Sequence, residues 1–182
     1  MIKKPTTKEL LALSVRELAG QQPLDKISVK DICQNCGVTT VTFYNHFQDK
    51  YDLIAWVLTR EVENIYNGYA EGEYSWEQTI DTMVRHLFED RAFCRNAFTN
   101  TSGQNSFVLT THSHSIDLLT EIVRKKAGDD FTGDLEFFVE FYLRGTSITV
   151  MEWIQSGCRI PPERLARYFL LAMPEALKPY LI

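Results

Sequence analysis

No stretch of this 182-residue chain approaches the roughly 18–20 consecutive apolar residues that a bilayer-spanning helix needs. The apolar run at 10–15 is short and flanked by Glu9 and Arg16, so it does not read as a secretory leader. The four cysteines, at 33, 36, 94 and 158, lack the spacing of a disulfide framework. A cytoplasmic protein that does not enter the membrane is expected. Clean apolar–polar alternation bounded by hairpin turns is missing, which argues against strands. Internal repeats and low-complexity segments are missing as well. So are a nucleophile elbow, a phosphate loop and an H-E-x-x-H pair. No pair of carboxylates stands out as an acid–base site. These absences point away from an enzyme, and no cofactor or metal is expected.

What is present is the composition of a globular protein, with 45% hydrophobic and 24% charged residues. The length suits one ordinary domain or two modules, and it can bury a core without disulfides or metals. The net charge is −5, so the chain as a whole is no basic nucleic-acid binder. The charge is uneven. Residues 1–60 hold 8 Lys+Arg and 6 Asp+Glu, a balance of +2, and the remainder carries −7. Such asymmetry suits an anionic partner for the first part only.

The periodicity is helical almost throughout, so an all-α fold is expected. Thr6 and Glu9 have the spacing of a capping box, and Gly20 can end the helix they begin. A second helix starts at Ser28, with Asp31 three residues on, and stops at Gly37. A third runs from Thr39 to about Asn45. A fourth opens at Asp49 and carries an apolar stripe to Tyr66, with a loop expected over 67–75. Further helices are expected over 76–90, 91–99, 107–126, 135–155 and 161–173, with a loop at 100–106.

The segment "GVTTVTFYNHFQDK", residues 37–50, is unusual for a core filler because it carries Thr39, Thr40 and Thr42 among aromatics. Two short helices joined by a glycine turn, the second rich in small polar residues, describe a helix-turn-helix. A helix that enters a major groove about 12 Å wide needs small outward residues, hydroxyls for phosphates and base edges, and methyls for thymine. Thr39, Thr40, Val41 and Thr42 supply these. Val38, Phe43 and Phe47 read as anchors to the core. Tyr44 can set its hydroxyl on a phosphate, and Lys50 can reach the DNA backbone as a cation.

The stretch "ISVKDICQNCGVTTVTFYNHFQDKYDLI" resembles the N-terminal signature of the TetR family of bacterial transcription regulators. The matching elements are Ser28, Gly37-Val38-Thr39, Tyr44-Asn45-His46-Phe47, Lys50 and Leu53. They span roughly residues 6–60. Cys33, Cys36 and Phe43 depart from the family pattern without disturbing it. The resemblance implies that Ser28, Thr39, Thr40, Val41, Thr42, Tyr44, Asn45, His46 and Lys50 face double-stranded operator DNA. It implies a helix-turn-helix head at 1–50 and a dimerisation and effector domain at 51–182. It further implies a repressor whose DNA affinity is set by a small-molecule or protein effector, the ligand residues being unidentified. The "TFYNHFQDKYDLIAWVL" wording and the short second domain are also similar to a subgroup that includes regulators of dihydroxyacetone kinase operons. There a kinase-related protein can be the effector and activation is the alternative. An interaction module that does not bind DNA is the competing class.

Two other features invite readings. Cys33-Gln-Asn-Cys36 has C-x-x-C spacing, but no second ligand pair accompanies it, so packing is expected. His112 and His114 are two apart and do not share a helix face. For a homodimer, the helix over 135–154 offers two apolar faces: Leu135, Phe138, Tyr142 and Thr149 on one, Phe137, Phe141, Ile148 and Met151 on the other. Leu165, Tyr168, Phe169 and Ala172 of the last helix complete the expected four-helix interface. Trp76, Phe88, Phe93, Phe98, Phe107, Phe138 and Tyr142 are aromatics that could line a pocket or simply fill the core.

Overall fold

A computed structural model describes residues 4–99 and 104–182. Among these residues it contains ten α-helices, three 3₁₀ turns and no strand. The helices are α1 (Thr7–Ala19), α2 (Val29–Cys36), α3 (Thr40–Tyr44), α4 (Lys50–Ala70), α5 (Trp76–Glu89), α6 (Arg91–Thr99), α7 (Gln104–Ala127), α8 (Gly133–Gln155), α9 (Pro162–Leu171) and α10 (Lys178–Leu181). None of them is long and apolar enough to cross a membrane.

The early helices start where side chains can satisfy free backbone donors. Thr6 and Glu9 close a capping box on α1, and Ser28 and Asp31 close one on α2. Thr39 accepts from the Thr42 N–H to cap α3, and Asp49 accepts from the Tyr51 and Asp52 N–H groups to cap α4. Each such cap contributes about 1 kcal/mol. Gly37 ends α2 in the left-handed region, φ 69°. An L side chain there would meet no neighbour, so only backbone strain reserves the position for glycine.

Two buried clusters divide the interior. One gathers Leu11, Val15, Leu24, Ile32, Phe43 and Phe47 and draws in Leu53, Ile54 and Val57 from α4 and Phe93 and Ala97 from α6. The other holds the helices from the second half of α4 onward, with Tyr66, Trp76, Leu119, Val139, Ile154 and Leu165 at its centre. In this bundle α4 packs on α7, α5 on α9, and α8 on both α6 and α7.

Several boundaries differ from the sequence expectations. The loop expected over 67–75 begins later, because α4 continues to Ala70. Turn-prone Asn67 and Gly68 are overridden by Tyr66 and Tyr69, both buried against Trp76. Gly68 lies so close to the Tyr74 ring that a Cβ would stand 2.4 Å from it. The long helix begins at Gln104 rather than 107, and 100–103 of the expected loop lie outside the described residues. The last long helix is Pro162–Leu171, after which a 3₁₀ turn and α10 fold back to bury Leu177 and Leu181. The Tyr69 hydroxyl donates to the Leu181 carbonyl at 3.0 Å and fixes that return.

Candidate nucleic-acid interface

The second and third helices form a tight corner at Gly37. The Val38 N–H donates to the Cys33 carbonyl at 3.0 Å, closing the end of α2 before α3 departs. Phe43 is completely buried and Phe47 nearly so, so α3 is fixed from below. The Phe43 ring meets Phe47 and Tyr44 at 5.8 and 5.4 Å between centroids. A five-residue helix has little stability of its own, so these rings and the Thr39 cap are what keep α3 formed.

Eight of the nine residues expected at DNA are placed around this corner. Thr40, Val41, Tyr44, Asn45 and His46 are exposed, with Val41 at 71% and Tyr44 at 59%. Thr39 is exposed, and its hydroxyl lies 2.8 Å from that of half-buried Thr42. Ser28 is exposed at the head of α2, its hydroxyl donating to Asp31 at 2.7 Å. Those bonds hold the Asp31 carboxyl below the usual carboxylate range. An exposed valine and tyrosine on one short helix add nothing to the interior. They are free to meet a partner.

Lys50 is placed differently from its expected reach toward the DNA backbone. It is half-buried, and its ammonium donates to the carbonyls of Leu24, Asp25 and Ile27 at 2.8, 3.0 and 2.8 Å. An ammonium has three donors, and these carbonyls take all of them.

The cysteines sit with the packing reading. Cys33 is buried and burial raises its thiol pKa, while half-buried Cys36 lies with Sγ 3.2 Å from the Ile32 carbonyl. Among the described residues no group of His, Cys, Asp or Glu is arranged to hold a metal. His114 meets Glu63 at 2.5 Å, whereas His112 turns to a cavity.

That cavity, about 310 Å³, is the feature sequence reasoning missed. Leu58, Val62 and Tyr66 of α4, Val84 of α5, Phe98 of α6 and Tyr142 of α8 are among its walls. Its surface is mainly apolar, with His112 and Ser115 on one side. Burial lowers the His112 pKa, with Arg144 adding to the effect, and burial raises the Tyr66 and Tyr142 phenols, so these groups stay neutral near pH 7. Of the seven aromatics expected to line a pocket or fill the core, Phe98 and Tyr142 line it. Trp76 and Phe93 are core, and Phe107 has no described side chain. The lining comes from several helices far apart in sequence, and no local pattern marks it.

On the far side of the bundle, Phe137, Phe141 and Ile148 of α8 and Tyr168 and Leu171 of α9 are exposed. Leu165 and Phe169, expected at a dimer surface, are instead buried in the chain's own core. Met151 is half-buried at the cavity wall, and Thr149 is exposed rather than inward.

Comparison with known proteins accords with this geometry. Residues 14–57 match the family model for bacterial regulatory proteins of the tetR family, and residues 74–174 match that for a transcriptional regulator C-terminal region of the TetR type. The chain is 26% identical over 136 residues to the HTH-type dhaKLM operon transcriptional activator DhaS of Lactococcus lactis, covering 75% of this chain and 72% of that protein. The solved dihydroxyacetone kinase operon activator DhaS superposes with a TM-score of 0.69 at 21% identity, over 97% of this chain and 98% of that one. The fatty acid degradation regulator FadR from Bacillus halodurans superposes with a TM-score of 0.65 at 12% identity, over 95% and 97%.

Proposed function

This chain belongs to the TetR family of transcriptional regulators, and from that premise we propose how it works. Residues 1–50 form the DNA-reading head, and 51–182 form the dimerisation and effector domain. Thr40, Val41 and Asn45 read base edges in the major groove, and Tyr44 meets a phosphate. Ser28, Thr39, Thr42 and His46 flank them. The observation that carries this reading is the exposed face of α3 above a completely buried Phe43. Two such heads must stand about one helical turn apart, roughly 34–36 Å. The exposed apolar rows of α8 and α9 pair with their symmetry mates to hold them there. An effector enters the apolar cavity beside α4 and changes that spacing. Acting on DNA through binding alone, the protein works in the cytoplasm.

Two signs of regulation follow from different observations. Repression relieved by a ligand suits an apolar cavity of ligand size. Activation under a protein partner suits the relative from Lactococcus lactis, which is a transcriptional activator. Deleting the gene separates them: target transcripts rise if it represses and fall if it activates.

Fluorescence anisotropy against duplex DNA from the protein's own upstream region, with a scrambled duplex as control, tests the core of the proposal. Affinity should fall steeply with salt, as counterion release requires, and should favour the native duplex. Thr40→Ala and Asn45→Ala should shrink the preference between duplexes, while Tyr44→Ala should weaken both. Variants that bind as tightly and selectively as the parent would place the reading face elsewhere. Sedimentation that finds only 21.0 kDa particles at micromolar concentration would remove the dimer.

A further inference from the structure

Two side chains from beyond the three-helix head grip the segment that joins α1 to α2. The Leu24 side chain is completely buried in the head. Its backbone is held from two directions. The Leu24 N–H donates to Asn96 Oδ1 at 2.9 Å, and the Leu24 carbonyl accepts from Lys50 Nζ at 2.8 Å. Lys50 is the first residue of α4, and Asn96 lies in α6. Asn96 Nδ2 also donates to the carbonyls of Ala19 and Gln22 at 2.8 and 2.9 Å. Together with the Asp25 and Ile27 carbonyls on Lys50, this binds six backbone groups between residues 19 and 27 to two side chains. The next residue is Ser28, the cap of α2.

From this geometry we propose that Lys50 and Asn96 are positioning residues for DNA reading. They act through the 19–27 connector on Ser28 and the α2–α3 corner, and they do not themselves touch the duplex. The inference rests on the DNA-binding reading above. For Lys50 to neutralise a phosphate it would have to leave three carbonyls that its charge already satisfies. Each would lose a charge-assisted bond. Asn96 has no charge to offer a phosphate, yet it holds the same connector from the opposite side. Loss of either grip frees the connector, and the corner that follows it loses a fixed starting point.

The test combines DNA titrations of the full chain with amide hydrogen exchange. The probe is duplex DNA from the protein's own upstream region, titrated at several salt concentrations. Lys50→Met and Asn96→Ala should each weaken binding about tenfold, on the order of one lost charge-assisted hydrogen bond. Both should keep the parent's slope of log affinity against log salt. Lys50→Arg should stay defective, because a planar guanidinium fork does not fit three converging carbonyls. Asn96→Asp, which keeps the acceptor for Leu24 N–H, should fall between Asn96→Ala and the parent. Amides over 19–28 should exchange faster in the variants, with α8 unchanged.

A slope lowered by about 0.9 in Lys50→Met, with rescue by arginine, would make Lys50 a phosphate contact and overturn the proposal. Parent-like affinity or parent-like exchange over 19–28 in Asn96→Ala would overturn it too, while leaving the DNA reading intact. A parent chain that binds no duplex at any salt would remove the DNA reading and the positioning role together.

Discussion

The two halves of this molecule are built by different means. Every helix of the head begins on a side-chain cap, from Thr6 to Ser28 to Thr39. Its cluster closes on completely buried Leu11, Val15 and Phe43. In the bundle, α8 and α9 start without any side-chain cap, and their walls leave a cavity of about 310 Å³. The head is specified locally, residue by residue, and is closed. The bundle is specified by long-range packing and is open at its centre. A reading element must present one fixed surface, whereas a sensing element needs room for an occupant. The difference in construction follows that division of labour.

The comparison can be broken most severely at Phe43. Phe43→Ala removes a ring from a site with no exposure and should cost about 3–5 kcal/mol. DNA binding should vanish while the bundle keeps its near-ultraviolet circular dichroism. Simultaneous loss of both signals would mean that the halves do not differ in this way. A paired overpacking comes next. Val15→Phe, in the closed cluster, should lower stability by about 1–3 kcal/mol. Val84→Phe, at the cavity wall, should cost under about 1 kcal/mol, since the ring has space to enter. Equal shifts in urea midpoint would show that the cavity is not usable volume.

Caps give a smaller contrast. Ser28→Ala should cost about 1 kcal/mol. Thr132→Ala, at the start of α8, has no cap bond to lose and should stay within about 0.5 kcal/mol. The smallest effect is in pH. Bonds from Arg60 and Thr6 hold the Glu9 carboxyl at about 2, below the ordinary 4.5. A lowered carboxyl stabilises the fold above its ordinary value and loses that contribution as pH falls through the folded one. Urea midpoints should therefore decline between about pH 4.5 and pH 2, and Glu9→Gln should flatten part of the decline. Asp90, whose carboxyl burial raises, works in the opposite direction and bounds the size of the effect.

The same division explains what could be read from the chain. Thr6 with Glu9, Ser28 with Asp31, Gly37 and Asp49 are signals within three or four residues, and each marks an observed helix end. The helical character of the bundle was legible from its periodicity. Its cavity was not, because Leu58, Val84, Phe98 and Tyr142 meet only after four helices have packed. The end of α4 was misplaced because Asn67 and Gly68 signal a turn, while the burial of Tyr69 against Trp76 decides the matter. Lys50 was legible as a cation near the head. Its partners lie 23–26 residues away on the backbone, where sequence carries no mark of them. Asn96 had no signal at all.

Leu24 can also be seen as a gauge. α4 and α6 each hold one side of its backbone, and both helices wall the cavity. A hydrogen bond tolerates only a few tenths of an ångström before it weakens, and a separation of about 1 Å breaks it. An occupant that parts the two walls by that much would exceed what the two grips can span. Below that displacement the connector stays held; above it, one grip lets go. A continuous variable, the width of the cavity, would thereby be converted into a step.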